Sequence, residues 1–143
     1  MDMPRGFQLQ QSDRLALMTT PEELQSVADR CESLNADEQR QGFDRAMRVL
    51  TDKPLIAADD EDDAVWIGLL ADSGAYESAA LALLPMRTTF NGGRMADGTF
   101  VAQVILPSGA GAHSRAAKSL SMAWVAALLR ALAREIVERR AVA

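Results

Sequence analysis

The chain has 143 residues, 48% of them apolar, with 20 acidic and 15 basic side chains and a formal net charge of −5. Those figures suit one domain with enough chain to bury a core, and they exclude a generally disordered polypeptide. A single cysteine, Cys31, excludes an intrachain disulfide.

The net charge hides an asymmetry. Residues 1–77 carry 17 acidic and 7 basic side chains, a net of −10, whereas residues 78–143 carry 3 and 8, a net of +5. Such a dipole can steer a partner or support head-to-tail association; the plainer reading is that the acidic half solvates and balances the basic half. The opening has no basic region followed by an unbroken apolar run, so no secretory signal is expected and a cytoplasmic location is.

Residues 1–18 read as an extended or flexible leader, and residues 19–143 as a single domain. Thr20-Pro21-Glu22-Glu23 is a strong helix start: Thr20 can cap, Pro21 suits the first turn and Glu23 completes a reciprocal cap. Leu24, Val27, Ala28, Cys31 and Leu34 then line one face, so the first helix should end near Leu34. Cys31 on that face is expected to be a buried, inert thiol.

Asn35 and Glu38 repeat the cap arrangement before a second helix over residues 36–50, with Phe43, Ala46, Met47 and Leu50 inward and Gly42 as its weak point. Residues 51–63 form a linker ending in Asp59-Asp60-Glu61-Asp62-Asp63. That run lacks the spaced ligands and central glycine of a calcium loop, so a solvated stretch and no metal are expected. Ala64–Leu70 reads as a short buried helical piece, and Tyr76–Leu84 as a helix stopped by Pro85.

Met86–Phe90 is read as one strand and Asn91-Gly92-Gly93 as a tight turn, with a second bend at Asp97-Gly98. Thr99–Leu106 is the clearest strand, with Phe100, Ala102, Val104 and Leu106 on one face and Val101, Gln103 and Ile105 on the other. Both faces are largely apolar, which calls for helices or a second protomer on each side. Pro107 to Gly111 is turn-rich, and Ser114 is a candidate cap for a long terminal helix that could start as late as Ser119. That helix is apolar nearly all round in its first half and carries Arg130, Arg134, Glu135, Glu138, Arg139 and Arg140 in its second. It is too short and too interrupted to span a membrane.

The expected class is therefore α+β: a small antiparallel sheet with N-terminal helices and a long C-terminal helix, packed as a compact sandwich. So few strands leave an edge exposed, and a dimer joined through the sheet is one solution.

The segments Tyr76-Glu77-Ser78-Ala79-Ala80-Leu81-Ala82-Leu83-Leu84-Pro85 and Ser119 through Leu132, separated by a glycine-punctuated strand pair, resemble the phage ABA sandwich domain family. The resemblance covers residues 19–133; the acidic run at 59–63 and the basic extension beyond Arg134 depart from it. It implies a compact α/β arrangement in a phage or prophage protein, and it brings no catalytic residues.

Three functional classes follow. A non-enzymatic accessory protein acting through a protein partner or as a homo-oligomer would use the apolar helix surface around Trp124, Leu128 and Leu132. An anion- or nucleic-acid-binding module would use Arg87, Arg94, Arg115 and Lys118 on one surface. A small enzyme would centre on His113, the only histidine, with Ser108, Ser114 and Asp97 nearby in sequence. No motif marks a cofactor; Gly109-Ala110-Gly111 lacks both the phosphate-loop and the dinucleotide fingerprints.

Overall fold

The computed structural model describes residues 20–52 and 61–142, with side chains described over 20–50 and 65–141. The expected leader and most of the acidic linker lie outside the described residues. The elements run α1 (Pro21–Ser33), a 3-10 turn (Ala36–Glu38), α2 (Gln39–Asp52), α3 (Glu61–Asp72), α4 (Tyr76–Leu83), β1 (Thr89–Arg94), β2 (Phe100–Ile105), β3 (Gly111–His113) and α5 (Leu120–Val142). This is an α+β fold: a three-stranded antiparallel sheet, order β1-β2-β3, packed with helices that precede it and one long helix that follows.

The local signals act as the sequence suggests at the first two helices. Thr20 Oγ1 accepts from the Glu23 N–H at 3.0 Å, Pro21 opens α1, and the chain leaves the helix at Leu34. The Asn35 N–H donates to Glu38 Oε1 at 2.8 Å, starting the turn that leads into α2. Leu24, Ala28, Cys31, Phe43, Ala46 and Leu50 are all buried.

Gly42, a weak point by propensity, sits where α2 passes close to the side chains of Met122 and Leu34. A Cβ there would lie 2.3 Å from Met122 Sδ and 3.1 Å from Leu34 Cδ1, so its missing side chain lets α2 close on α5. Close by, the Cys31 thiol is buried and directed at the Gly42 carbonyl, 3.9 Å away.

α5 is the central layer. Its first four turns have the sheet on one side and α1, α2 and α4 on others, and residues 125–133 are buried without interruption. An all-round apolar helix needs such surroundings. Its one hydroxyl at full depth, on Ser121, is satisfied by Gln39 of α2. Ser119 is the cap, its Oγ accepting from the Met122 N–H at 3.4 Å.

Three expectations about the second half change. The Asn91-Gly92-Gly93 turn does not form: these residues are the middle of β1, and the hairpin turns instead at 95–99, where the Met95 N–H meets the Thr99 carbonyl at 2.7 Å. Gly92 is there because Trp124 sits over it, and a Cβ would come within 3.0 Å of the indole nitrogen. Residues 111–113 form a third strand, with Gln103 across from His113 and Ile105 across from Gly111. Ser114 accordingly does not cap the helix but extends the sheet, exchanging bonds with Ala102 at 2.8 and 2.9 Å.

Burial also corrects two readings. The piece at Ala64–Leu70 belongs to a longer helix that buries Ile67 and Ala71 yet leaves Val65, Trp66 and Leu69 exposed. Only one face of the sheet is covered by described residues: Ala102, Val104 and Leu106 turn to α5, while Val101, Gln103 and Ile105 remain partly exposed on the other face. Among the described residues, no helix is long and apolar enough to cross a membrane.

Candidate functional site

The most organised polar feature joins α1 to α5. Gln25, Asp29 and Glu32 stand at four- and three-residue steps on one face of α1, the spacing that aligns side chains along a helix. All three converge on Arg130, the one charged side chain inside the buried run of α5. Its Nη2 donates to Glu32 Oε1 at 2.7 Å and to Asp29 Oδ1 at 2.6 Å, its Nε donates to Glu32 Oε2 at 3.2 Å, and its Nη1 donates to Gln25. Glu32 also accepts the Arg115 N–H at 2.7 Å.

Burial alone would lower the pKa of Arg130, but hydrogen bonds and charge from Glu32 and Asp29 outweigh it and raise the value. The guanidinium is thus held as a cation, with each of its three nitrogens donating to a partner on α1. Sequence reading missed this cluster. The available signal was a single arginine interrupting an otherwise apolar helix, with polar residues at helical spacing far upstream.

Beside the cluster lies a cleft of about 780 Å³ between β3, the start of α1 and the second half of α5. Ile105, Ala112, Ala133 and Val137 supply apolar walls, and His113, Arg115, Arg130 and Arg134 the polar ones. None of the described lining residues is acidic. Arg115 and Arg134 keep 76% and 64% of their side chains exposed, and each has one carboxylate neighbour, Asp29 at 3.9 Å and Glu138 at 3.0 Å, so these are solvent-facing pairs, unlike the buried one at Arg130. Two contacts hold the wall in shape: the Ser108 hydroxyl binds Glu135 Oε2, and Arg134 Nη1 reaches the Gly111 carbonyl at 3.4 Å.

The sequence-derived basic set is dispersed. Arg94 pairs with Phe100, which bridges to Ala117, so Arg94, Arg115 and Lys118 belong to one end of the sheet. Arg87 precedes Thr89 at the other end of β1, about 17 Å away by strand rise. The four cations therefore do not form one patch. Lys118 Nζ donates to Asn35 Oδ1 at 3.1 Å, and Arg115 lies 3.9 Å from Asp29.

The three proposed interface residues separate in the same way. Leu128 and Leu132 are 0% and 2% exposed within the single chain, because α5 is enclosed by α1 and the sheet, and this corrects their assignment as a partner surface. Trp124 is partly exposed, donates to the Asn91 carbonyl at 3.3 Å and meets Phe90 edge-on at 6.1 Å between ring centroids.

His113 is exposed on β3. The hydroxyls and carboxylate that a triad would recruit are engaged elsewhere: Ser114 with Ala102, Ser108 with Glu135, and Asp97 with Thr99. Ser108 and Asp97 occupy turns at opposite ends of β2. Gly109-Ala110-Gly111 runs from the turn of the β2–β3 hairpin into β3, with Gly109 in the turn at φ 97°. Burial pushes the Cys31 thiol up to about 12, with the neighbouring Glu32 charge adding to the rise, so it is protonated at neutral pH.

Among the described residues, no group of three or more His, Cys, Asp or Glu side chains is placed to hold a metal ion. Comparison with family models, curated proteins and solved structures finds no match to this chain.

Proposed function

We propose that the chain is a non-enzymatic interaction protein that self-associates through the outer edge of β1, which no described strand pairs. The observation that carries this reading is a six-residue edge strand, exposed along its whole length. It has no proline or lysine to blunt it, and its one charged side chain, Arg94, lies at its end. The resemblance to the phage ABA sandwich domain family is the ground for placing this role in a phage or prophage accessory protein.

Strand chemistry specifies the pairing. Antiparallel strands alternate residues that bond inward with residues that bond outward. Phe100 bonds to Ala117 and Ala102 to Ser114, both on the β3 side, so Val101, Gln103 and Ile105 bond to β1. Phe90, Gly92 and Arg94 then direct their backbone N–H and C=O groups away from the sheet. A second copy related by a two-fold axis at Gly92 uses all three residues and sets Phe90 opposite Arg94 of the other copy. An arginine beside an aromatic ring adds a favourable contact at each of the two equivalent positions.

The test is solution mass against concentration, rising from 15.5 kDa toward twice that value. In the proposed register, Asn91 faces Gly93 of the second copy as a closely spaced pair, about 4.5 Å between Cα atoms. Combining Asn91→Cys with Gly93→Cys therefore yields a covalent dimer under mild oxidation, whereas either substitution alone does not. A mass that stays monomeric at high concentration, with no cross-link, overturns the proposal.

A further inference from the structure

We propose that the cleft beside β3 takes an extended acidic peptide segment as a fourth strand, an activity separate from self-association through β1. Three observations meet there.

The first is the direction of the backbone. The Leu106 N–H bonds to the Ala110 carbonyl and the Ser114 N–H to the Ala102 carbonyl, each at 2.8 Å. By antiparallel alternation, residues 110, 112 and 114 bond to β2, and Gly111 and His113 direct their N–H and C=O groups outward. The contact from Arg134 to the Gly111 carbonyl, long at 3.4 Å, shows that outward direction, and an incoming strand would replace it. β3 is therefore a short edge opening on the cleft.

The second is charge. The described lining contains arginines and a histidine but no carboxylate. Arg130 is held in a buried cluster by Glu32 and Asp29, whereas Arg115 faces Asp29 at 3.9 Å and Arg134 pairs with Glu138 at 3.0 Å in solvent-exposed contacts, which a bound carboxylate can replace at small cost. Carboxylate side chains on a peptide complement that pair.

The third is shape. A volume of about 780 Å³ suits a few residues of extended chain. Alternate side chains of a strand point to opposite sides. Apolar ones can therefore lie against Ala133 and Val137 of α5 while the acidic ones reach the guanidinium groups. Backbone pairing supplies affinity and the side-chain alternation supplies selectivity, as in other strand-addition sites.

The experiment uses the full chain and a short fluorescent peptide alternating aspartate with valine, read by anisotropy. Binding is expected, weakening as salt is raised. The same peptide with alternate backbone amides N-methylated keeps its charge but loses its donors, and is expected to bind about tenfold or more weakly. Arg115→Glu combined with Arg134→Glu is expected to weaken binding of the parent peptide by a similar factor, with the far-ultraviolet spectrum confirming the fold. If succinate or inorganic phosphate displaces the peptide at equal concentration, or the methylated peptide binds equally well, the site is a plain anion site and the strand-addition proposal is overturned. No saturable binding of the parent peptide to the wild-type chain overturns it as well. The β1 cross-link is unaffected by either outcome, so the two proposals fail independently.

Discussion

Glu32 and Arg130, 98 positions apart in sequence, form a two-pronged ion pair with side chains only 7% and 10% exposed. The pair closes the joint between α1 and α5, and it does so where water is largely excluded. Its strength lies less in attraction than in the cost of leaving either partner alone.

Arg130→Met should therefore destabilise the fold by about 3–5 kcal/mol, because Glu32 would keep its burial and lose its counter-charge. Replacing both, as Glu32→Leu with Arg130→Met, should recover most of that loss. Urea unfolding of the two single variants and the double variant measures the difference. A single substitution costing under about 1 kcal/mol would place the pair in the solvated class instead.

At Gly42 propensity and packing oppose each other. Alanine normally favours a helix interior by about 1 kcal/mol over glycine. Here its Cβ would meet the end of the Met122 side chain, which must move within a fully buried site, so the packing cost offsets the propensity gain and Gly42→Ala should change stability by no more than about 1 kcal/mol. Shortening the opposing side chain with Met122→Ala should remove the packing cost and make Gly42→Ala stabilising, a coupling that a double-mutant thermal series reads directly.

Arg87 is the only described non-glycine residue with positive φ, at 69°, in the turn closed by the Thr88 N–H on the Pro85 carbonyl at 3.2 Å. That position of a four-residue turn favours glycine. Arg87→Gly should stabilise the chain by up to about 1 kcal/mol through relief of the backbone, even though it removes an exposed charge. An unchanged denaturation midpoint would show that the turn carries no such strain.

In acid, the Asp97 turn should keep its charge to a lower pH than an ordinary aspartate would. The Thr99 hydroxyl, at 2.6 Å, and then the Thr99 N–H, at 2.9 Å, hold the Asp97 carboxyl below the usual aspartate range. A group with a lowered folded-state pKa contributes stability that is complete above the unfolded value and is lost as pH falls through the folded value. Thr99→Val should move the Asp97 titration, followed by carboxyl-carbon NMR, up toward the ordinary aspartate value. It should also let the β1–β2 hairpin loosen at a higher pH than in the wild type.

The parts legible in the sequence are those whose causes are local. Thr20, Pro21 and Glu23 specify a helix start among themselves, and the alternation of Ala102, Val104 and Leu106 marks the buried side of β2 without outside help. Gly92 reads as a turn residue because its true reason, the indole of Trp124, is remote in sequence and enters only when α5 docks. β3 has three residues and no apolar alternation, so it exists by pairing with β2 rather than by propensity. The Arg130 cluster was hidden for the same reason: no window of sequence contains both Glu32 and the side chain that neutralises it. Leu128 and Leu132 were read as a surface because an apolar helix announces burial but not by what.

α5 follows every element it holds together. A ribosome working from the N-terminus releases α1, α2, α4 and all three strands before it supplies the layer they share. Leu24, Phe43, Leu83 and Val104 must wait uncovered during that interval, open to chaperones and to one another. Nascent chains stalled before Leu120 should therefore be more protease-sensitive than the released chain.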